Sequence, residues 1–185
     1  MQNQNSLSGK CVVLGVCSSI AVYKSCDIVS MLVKMGADVH VIMTENACKL
    51  ISPRILQTLS RNKVESTMWA PVSDWQPEHI SLAQKADVLV VAPATANTIG
   101  NFANGLACDL LSSTYIATKA KTLIAPAMNS NMITHAAVER NIEILKRDGV
   151  EFIEAENGML ACGVEGKGRL ASVETIVAKI VETLK

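Results

Sequence analysis

Several side chains in this sequence occur in settings where they could do chemistry. Near the C-terminal end, GMLACGVEGKGRL (Gly158 to Leu170) sets Cys162 between alanine and glycine and follows it with Lys167 and Arg169. A cysteine on such a loop can act as a redox group or a nucleophile. A Walker-type phosphate loop requires Ser or Thr after Gly-Lys, but Lys167 is followed by Gly168, so this is not a nucleotide phosphate cradle. Two readings remain: a plain flexible connection, or a flap whose glycines let it fold over a substrate, exclude water and bring Cys162 with it. The embedded cysteine favours the flap.

His79 follows Pro77-Glu78 and opens HISLAQKAD. A lone histidine is ordinarily structural or solvent-facing. This one precedes a strand whose far end holds PATANT, which makes it the general acid/base candidate. His40 alternates within a strand and His135 sits at a helix start, and neither has comparable surroundings.

The elements that must position these groups alternate between short β-type blocks and longer helical patterns. Lys10 to Val16 is a β-rich apolar run, as expected for a strand buried on both faces. A helical pattern over Ile20 to Met35 follows, with Gly36 as its stop, and Ala37 to Met43 is a second strand. That crossover length implies parallel strands. Helical segments are expected at 46–61, 79–85, 97–104, 106–119, 138–148 and 175–184, and strands at 87–92, 121–125 and 150–154; 63–78 reads mostly as loop. The sum is a single α/β domain over 1–185, with a loose segment at 1–9 and the flap at about 158–170. Its sheet is open, mostly parallel and doubly wound (Rossmann/flavodoxin-like), with helices on both faces.

Ligands of such sheets sit outside the carboxyl ends of the strands. After the first strand comes GVCSSIAVYK, without a Gly-x-Gly-x-x-Gly dinucleotide fingerprint. Ser18 or Ser19 ordinarily reads as a helix cap, though small hydroxyls beside free helix N–H groups also suit a phosphate. Thr44-Glu45-Asn46 follows the second strand, PATANT (Pro93 to Thr98) the third and PAMNSNM (Pro126 to Met132) the fourth. Caps alone explain one or two such clusters. Their repetition at the first four strand ends favours a ligand lying along the sheet edge.

Bulk properties narrow the partners. Hydrophobic residues make up 49% and charged ones 18%, as in a globular chain. Seventeen basic residues balance seventeen acidic ones, which removes the strongest argument for nucleic acid or an anionic membrane surface. Neutrality with a positive mean hydropathy suggests apolar surface covered by another subunit. The start, MQNQNSLSGK, has no apolar core of a secretory signal, and no apolar run is long enough to span a bilayer. The six cysteines are scattered without a Cys-x-x-Cys pair, so reduced thiols and a cytoplasmic location are expected. Three widely separated histidines offer no zinc-ligand spacing, and no metal is expected.

Taken together, GVCSSIAVYK, HISLAQKADVLVVAPATANTIG, APAMNSNM and LACGVEGKGR closely resemble the homo-oligomeric flavin-containing cysteine decarboxylases, from about Lys10 to the C-terminal helix. PATANT is moderately specific for that family; PAMNSNM with a downstream ACG is much more so. The resemblance implies non-covalent FMN and decarboxylation of 4′-phosphopantothenoylcysteine to 4′-phosphopantetheine in coenzyme A biosynthesis. By position it implies that Ser18, Ser19, Thr44 and Asn46 meet the FMN phosphate end, and that Thr95, Asn97, Thr98 and Ala127 line the flavin site. His79 would be the active-site histidine, Asn129 the holder of the substrate carboxylate and Cys162 the acid of the reductive half. Met132, Lys167 and Arg169 would contact substrate, the two cations at its phosphate. Trimers or dodecamers with flavin sites between subunits are implied, and a decarboxylase without a fused ligase.

Relatives often carry glycine at Cys17, tryptophan at Ile133 and an acidic residue at Cys108, and the first departure could alter a phosphate turn. Three other readings belong to the same resemblance. A peptidyl-cysteine decarboxylase stops at the ene-thiol and has no need of Cys162. A flavin prenyltransferase is not expected to carry the PAMN–ACG pair. A non-enzymatic regulatory relative usually bears long acidic extensions, which this chain does not show.

Overall fold

The computed structural model describes residues 6–70, 75–159, 163 and 165–185. Its centre is a five-stranded sheet in the order β2-β1-β3-β4-β5, with every neighbouring pair parallel. The strands are β1 (Cys11–Val16), β2 (Asp38–Met43), β3 (Val88–Ala94), β4 (Lys121–Pro126) and β5 (Glu151–Phe152). β3 is buried along its whole length, which accounts for its unbroken apolar run VLVVAPA.

Alternate strand residues feed two cores. On one face Val12, Leu14 and Val16 meet Val39, Val41, Val90 and Leu123 under α1 (Lys24–Lys34), α3 (Pro53–Ser60) and α9 (Val173–Thr183). On the other, Val13, Leu89, Val91 and Ile124 lie under α4 (Glu78–Lys85), α5 (Ala96–Ala103), α6 (Leu110–Ala117) and α8 (Ala136–Arg147). Gly15 lets Leu111 approach the sheet, since a Cβ there would press into the leucine methyls. The layered doubly wound architecture expected from the sequence is therefore present.

Three local differences have physical causes. The helix expected from Ile20 opens as a 3-10 turn (Ile20–Tyr23) and becomes α1 only at Lys24; Ser19 caps the turn. The segment expected to be helical from 106 begins at Leu110, because Asp109 and Ser112 form a reciprocal capping box there. Around the expected flap, β6 (Glu156–Met159) and β7 (Glu165–Arg169) pair antiparallel as a separate hairpin. Two one-turn helices, α2 (Glu45–Cys48) and α7 (Ser130–Ile133), follow β2 and β4. Among the described residues, no helix is long and apolar enough to cross a membrane.

The strand order makes the carboxyl edge asymmetric. The chain leaves β1 toward β2 on one side, and β3 takes the other, so the loops after β1 and β3 diverge and open a crevice between them.

Candidate functional site at the carboxyl edge of the sheet

A cleft of about 580 Å³ occupies that crevice. Ser18 and Ser19 arrive from the end of β1, Thr95 from β3, and Ala127, Met128 and Asn129 from β4, each at its strand's carboxyl end. Ser19 Oγ accepts from the Ala21 amide at 3.3 Å, while Thr95 caps α5. The Ala127 amide donates to the Ala94 carbonyl at 2.9 Å, holding the β3 and β4 exits side by side. Asn129 caps α7 through Oδ1, which accepts from the Asn131 amide at 2.9 Å.

The remaining wall is the hairpin, which contributes Met159, Gly168, Arg169 and Leu170. Its attachment explains two of its glycines. The Met128 amide donates to the Gly168 carbonyl at 3.0 Å. A Cβ on Gly168 would run into the Met128 carbonyl oxygen, and its φ of 131° is itself one that side chains avoid. At Gly166 a Cβ would collide with Ser130 Oγ, a buried hydroxyl without a hydrogen-bond partner among the described residues. These glycines serve close approach to the β4–α7 loop, so the base of the expected flap is docked against the PAMNSNM segment.

The lining joins two kinds of surface. Serine and threonine hydroxyls stand with the cations of Lys24 and Arg169, suited to an anionic group. Around them Ile20 (65% exposed), Tyr23 (60%), Met132 (46%) and Met159 (65%) present large apolar side chains to solvent in a single chain. Such a concentration of exposed apolar area marks a surface that a ligand or partner covers.

Of the residues singled out from the sequence, Ser18, Ser19, Thr95, Ala127, Asn129, Met132 and Arg169 line this cleft together. Thr44 instead caps α2 through its hydroxyl, and Asn46 Oδ1 accepts from Lys49 Nζ at 2.8 Å. Asn97 is exposed on α5. Thr98 is buried behind Thr95, with their hydroxyl oxygens 3.2 Å apart. Lys167 faces Glu154 at 3.7 Å. His79 stands in the first turn of α4, outside the lining; because α4 ends just before β3 begins, its first turn points back toward the carboxyl edge. Cys162 lies outside the described residues.

Cys17 does not face the cleft. It is buried in the core beneath α5, with Sγ 3.1 Å from Thr98 Oγ1, and its amide donates to the Pro93 carbonyl at 3.2 Å. Burial pushes its thiol up to about 11, the Thr98 hydroxyl offsetting only part of that effect. The side chain at this turn thus packs inward and leaves the cleft surface to Ser18 and Ser19. Lys24, Ile20, Tyr23 and Met159 were not singled out from the sequence. The signal for the first three is their place within GVCSSIAVYK, in the five residues that directly follow the serines.

The protein-family model described as Flavoprotein matches residues 1–185. The coenzyme A biosynthesis bifunctional protein CoaBC of Bacillus subtilis is 50% identical over 171 residues, 92% of this chain and 42% of that protein. The chain thus spans less than half the length of that relative. A probable phosphopantothenoylcysteine decarboxylase of Streptococcus mutans is 39% identical over 177 residues, covering 95% of this chain and 99% of that one. Among solved structures, the FMN-dependent cysteine decarboxylase SpaF superposes with a TM-score of 0.84 at 29% identity, covering 96% of both chains. A PPC decarboxylase variant in complex with pantothenoylaminoethenethiol superposes with a TM-score of 0.81 at 27% identity, covering 92% of this chain and 96% of that one.

Proposed function

The chain belongs to the flavoprotein family, and from that premise we propose that it is an FMN-dependent decarboxylase converting 4′-phosphopantothenoylcysteine to 4′-phosphopantetheine in coenzyme A biosynthesis. The observation that carries the reading is the convergence of Ser18, Ser19 and Thr95 with Asn129 and Met132 on one cleft at the sheet's switch point. Its donors fit the cofactor. The cleft falls within the ~300–1,000 Å³ of small-molecule sites. Hydroxyls and loop amides suit a phosphate, and Ile20, Ala127 and the rim side chains suit a planar ring. The Streptococcus mutans relative, matched over almost its whole length, supports the substrate, as does the solved relative holding pantothenoylaminoethenethiol.

When bound, the flavin would supply a reversible two-electron acceptor, at which the cysteinyl thiol could be oxidised to a thioaldehyde and from which the electrons could be recovered after CO2 loss. The carboxylate then lies β to C=S, so its departure leaves electrons that delocalise onto sulfur. Asn129, a neutral amide, holds the carboxylate without stabilising its charge so strongly that departure is hindered. His79 takes the thiol proton or orients the substrate. Cys162 gives the final proton to carbon, restoring a saturated thiol with no net redox change. Arg169 and Lys167 hold the substrate phosphate, and Met132 packs against the substrate. Thr98 backs Thr95 from behind the flavin wall, while Thr44, Asn46 and Asn97 stand beyond the lining of this chain's cleft.

His79 lies outside the cleft lining of its own chain, and the rim around that cleft is apolar and exposed. Both observations support a trimer, or trimers assembled into a dodecamer, in which a second copy brings His79 to the flavin.

Mass spectrometry of the product from 4′-phosphopantothenoylcysteine tests the proposal. It expects a yellow protein that forms 4′-phosphopantetheine. A colourless protein, or one that accumulates the oxidised ene-thiol as end product, would overturn it, the latter in favour of a peptidyl-cysteine-type decarboxylase.

A further inference from the structure

The opposite edge of the sheet carries a cluster that the decarboxylase reading does not use. Cys11 and Asp38 are the first residues of β1 and β2 and are partners in the parallel register. His40 stands two residues further along β2, and strand periodicity puts it on the same sheet face as Asp38. The Cys11 sulfur, an Asp38 carboxylate oxygen and a His40 ring nitrogen lie within 4.8 Å of one another. Sequence spacing shows no zinc pattern because register, and not a local motif, brings the three together.

From this geometry we propose a second site, at the amino edge of the sheet, in which Cys11, Asp38 and His40 bind one thiophilic divalent cation of the zinc class. Thiolate, carboxylate and imidazole form a ligand set that zinc accepts, with water as the fourth ligand. His40 Nε2 and Asp38 Oδ2 are already 3.1 Å apart, close to the ~3.3 Å that two ligands at zinc bond lengths keep in a tetrahedron. The carboxylate is also held from behind. Asn62 Nδ2 donates to Asp38 Oδ1 at 2.7 Å and to the Val39 carbonyl at 2.9 Å, leaving Oδ2 directed at His40. Such outer hydrogen bonds orient metal ligands.

The nearby charges are mixed. Asp38 and Asp87 put negative charge near the sulfur, and Lys85 opposes them. Asp87 Oδ2 accepts from the Cys11 amide at 2.7 Å, which fixes the start of β1 against β3. Binding displaces the Cys11 thiol proton to solvent and exchanges the His40–Asp38 pair for two metal bonds. Since β2 is an edge strand, the ion clips that edge to β1.

Cobalt(II) titrated into the flavin-loaded protein tests the site, because tetrahedral cobalt–thiolate bands at long visible wavelengths fall beyond oxidised flavin absorption. The expected result is saturation at one equivalent, reversal by zinc and loss of the bands in Cys11→Ser. Asp38→Asn or His40→Ala should weaken binding by about tenfold or more. Zinc should raise the melting temperature of the wild type and not that of Cys11→Ser. Flavin absorbance and circular dichroism establish that each variant is folded. Absence of bands at stoichiometric cobalt, bands that survive Cys11→Ser, or unchanged affinity in His40→Ala would overturn the site.

Discussion

Met128 and Gly168 hold each other by backbone alone: the Met128 amide donates to the Gly168 carbonyl at 3.0 Å, and the Met128 carbonyl fills the space where a Gly168 side chain would begin. Through this pair, the hairpin that leads to Cys162 is registered against the loop that carries Asn129. Gly168→Ala forces those backbones apart and places alanine at a φ of 131°. A cost of about 1–3 kcal/mol is expected, visible as a lower melting temperature. Turnover should fall by at least tenfold, while FMN, whose proposed contacts lie mainly on the β1 and β3 loops, should stay bound. Retention of full turnover would sink the proposed coupling between hairpin and loop.

Asn129 has two separable roles, a helix cap and the proposed seat of the substrate carboxylate. Asn129→Asp keeps an oxygen that accepts from the Asn131 amide, and aspartate caps as well as asparagine. It also sets like charges face to face. The melting temperature should stay within about a degree of wild type, because the surface cap is kept. The specificity constant kcat/KM should drop by two orders of magnitude or more, the direction set by like-charge repulsion. Steady-state kinetics and a melting curve on one preparation separate the roles.

Strand ends were legible because buried parallel strands write themselves as apolar runs, and in this architecture the residues just beyond each run face the ligand crevice. Ser18, Thr95 and Asn129 were found that way. The hairpin was not legible as strand. Glu165 to Arg169 reads EGKGR, with no β-forming side chain, and its pairing comes from docking onto Met128 and Ser130. At Gly166 and Gly168 the missing side chain serves close approach to Ser130 and Met128. The cleft's separation from His79, Thr44 and Asn46 was equally hidden, since sequence order tells which strand a residue succeeds and not how far its side chain reaches.

The two serines after β1 separate a helix cap from the proposed phosphate contact. Ser19 Oγ accepts from the Ala21 amide, so Ser19→Ala should destabilise the flavin-free protein by about 1 kcal/mol. Ser18 lines the cleft without capping the turn. Ser18→Ala should leave the flavin-free melting temperature unchanged and weaken FMN binding several-fold. Equal effects of the two changes on flavin-free stability would contradict the division.

Cys162→Ser tests the last proton transfer proposed for this residue. Serine is a far weaker acid than cysteine, so thiol oxidation and CO2 release should proceed while the ene-thiol accumulates and 4′-phosphopantetheine does not form. Product analysis by mass spectrometry reads both species at once, and normal formation of the saturated thiol would remove Cys162 from the mechanism.

Cys17 gives the fold an alkaline limit. Its thiol, buried against Thr98, is pushed from 9.0 up to about 11, so the folded chain keeps a proton that the unfolded chain releases earlier. Between those values the unfolded state binds fewer protons, and stability falls as pH rises. The contribution is fully present below pH 9.0 and is lost as pH climbs toward about 11. Cys17→Ala removes this component, so its stability should decline less than that of the wild type over the same range, by about 1–3 kcal/mol. Cys11, Cys26 and Cys48, whose thiols are also raised by burial, leave a residual slope in both proteins. Urea unfolding of the two proteins at pH 8 and in steps toward pH 11 measures the difference. Identical slopes would mean that the Cys17 thiol ionises as readily in the folded chain as in the unfolded one.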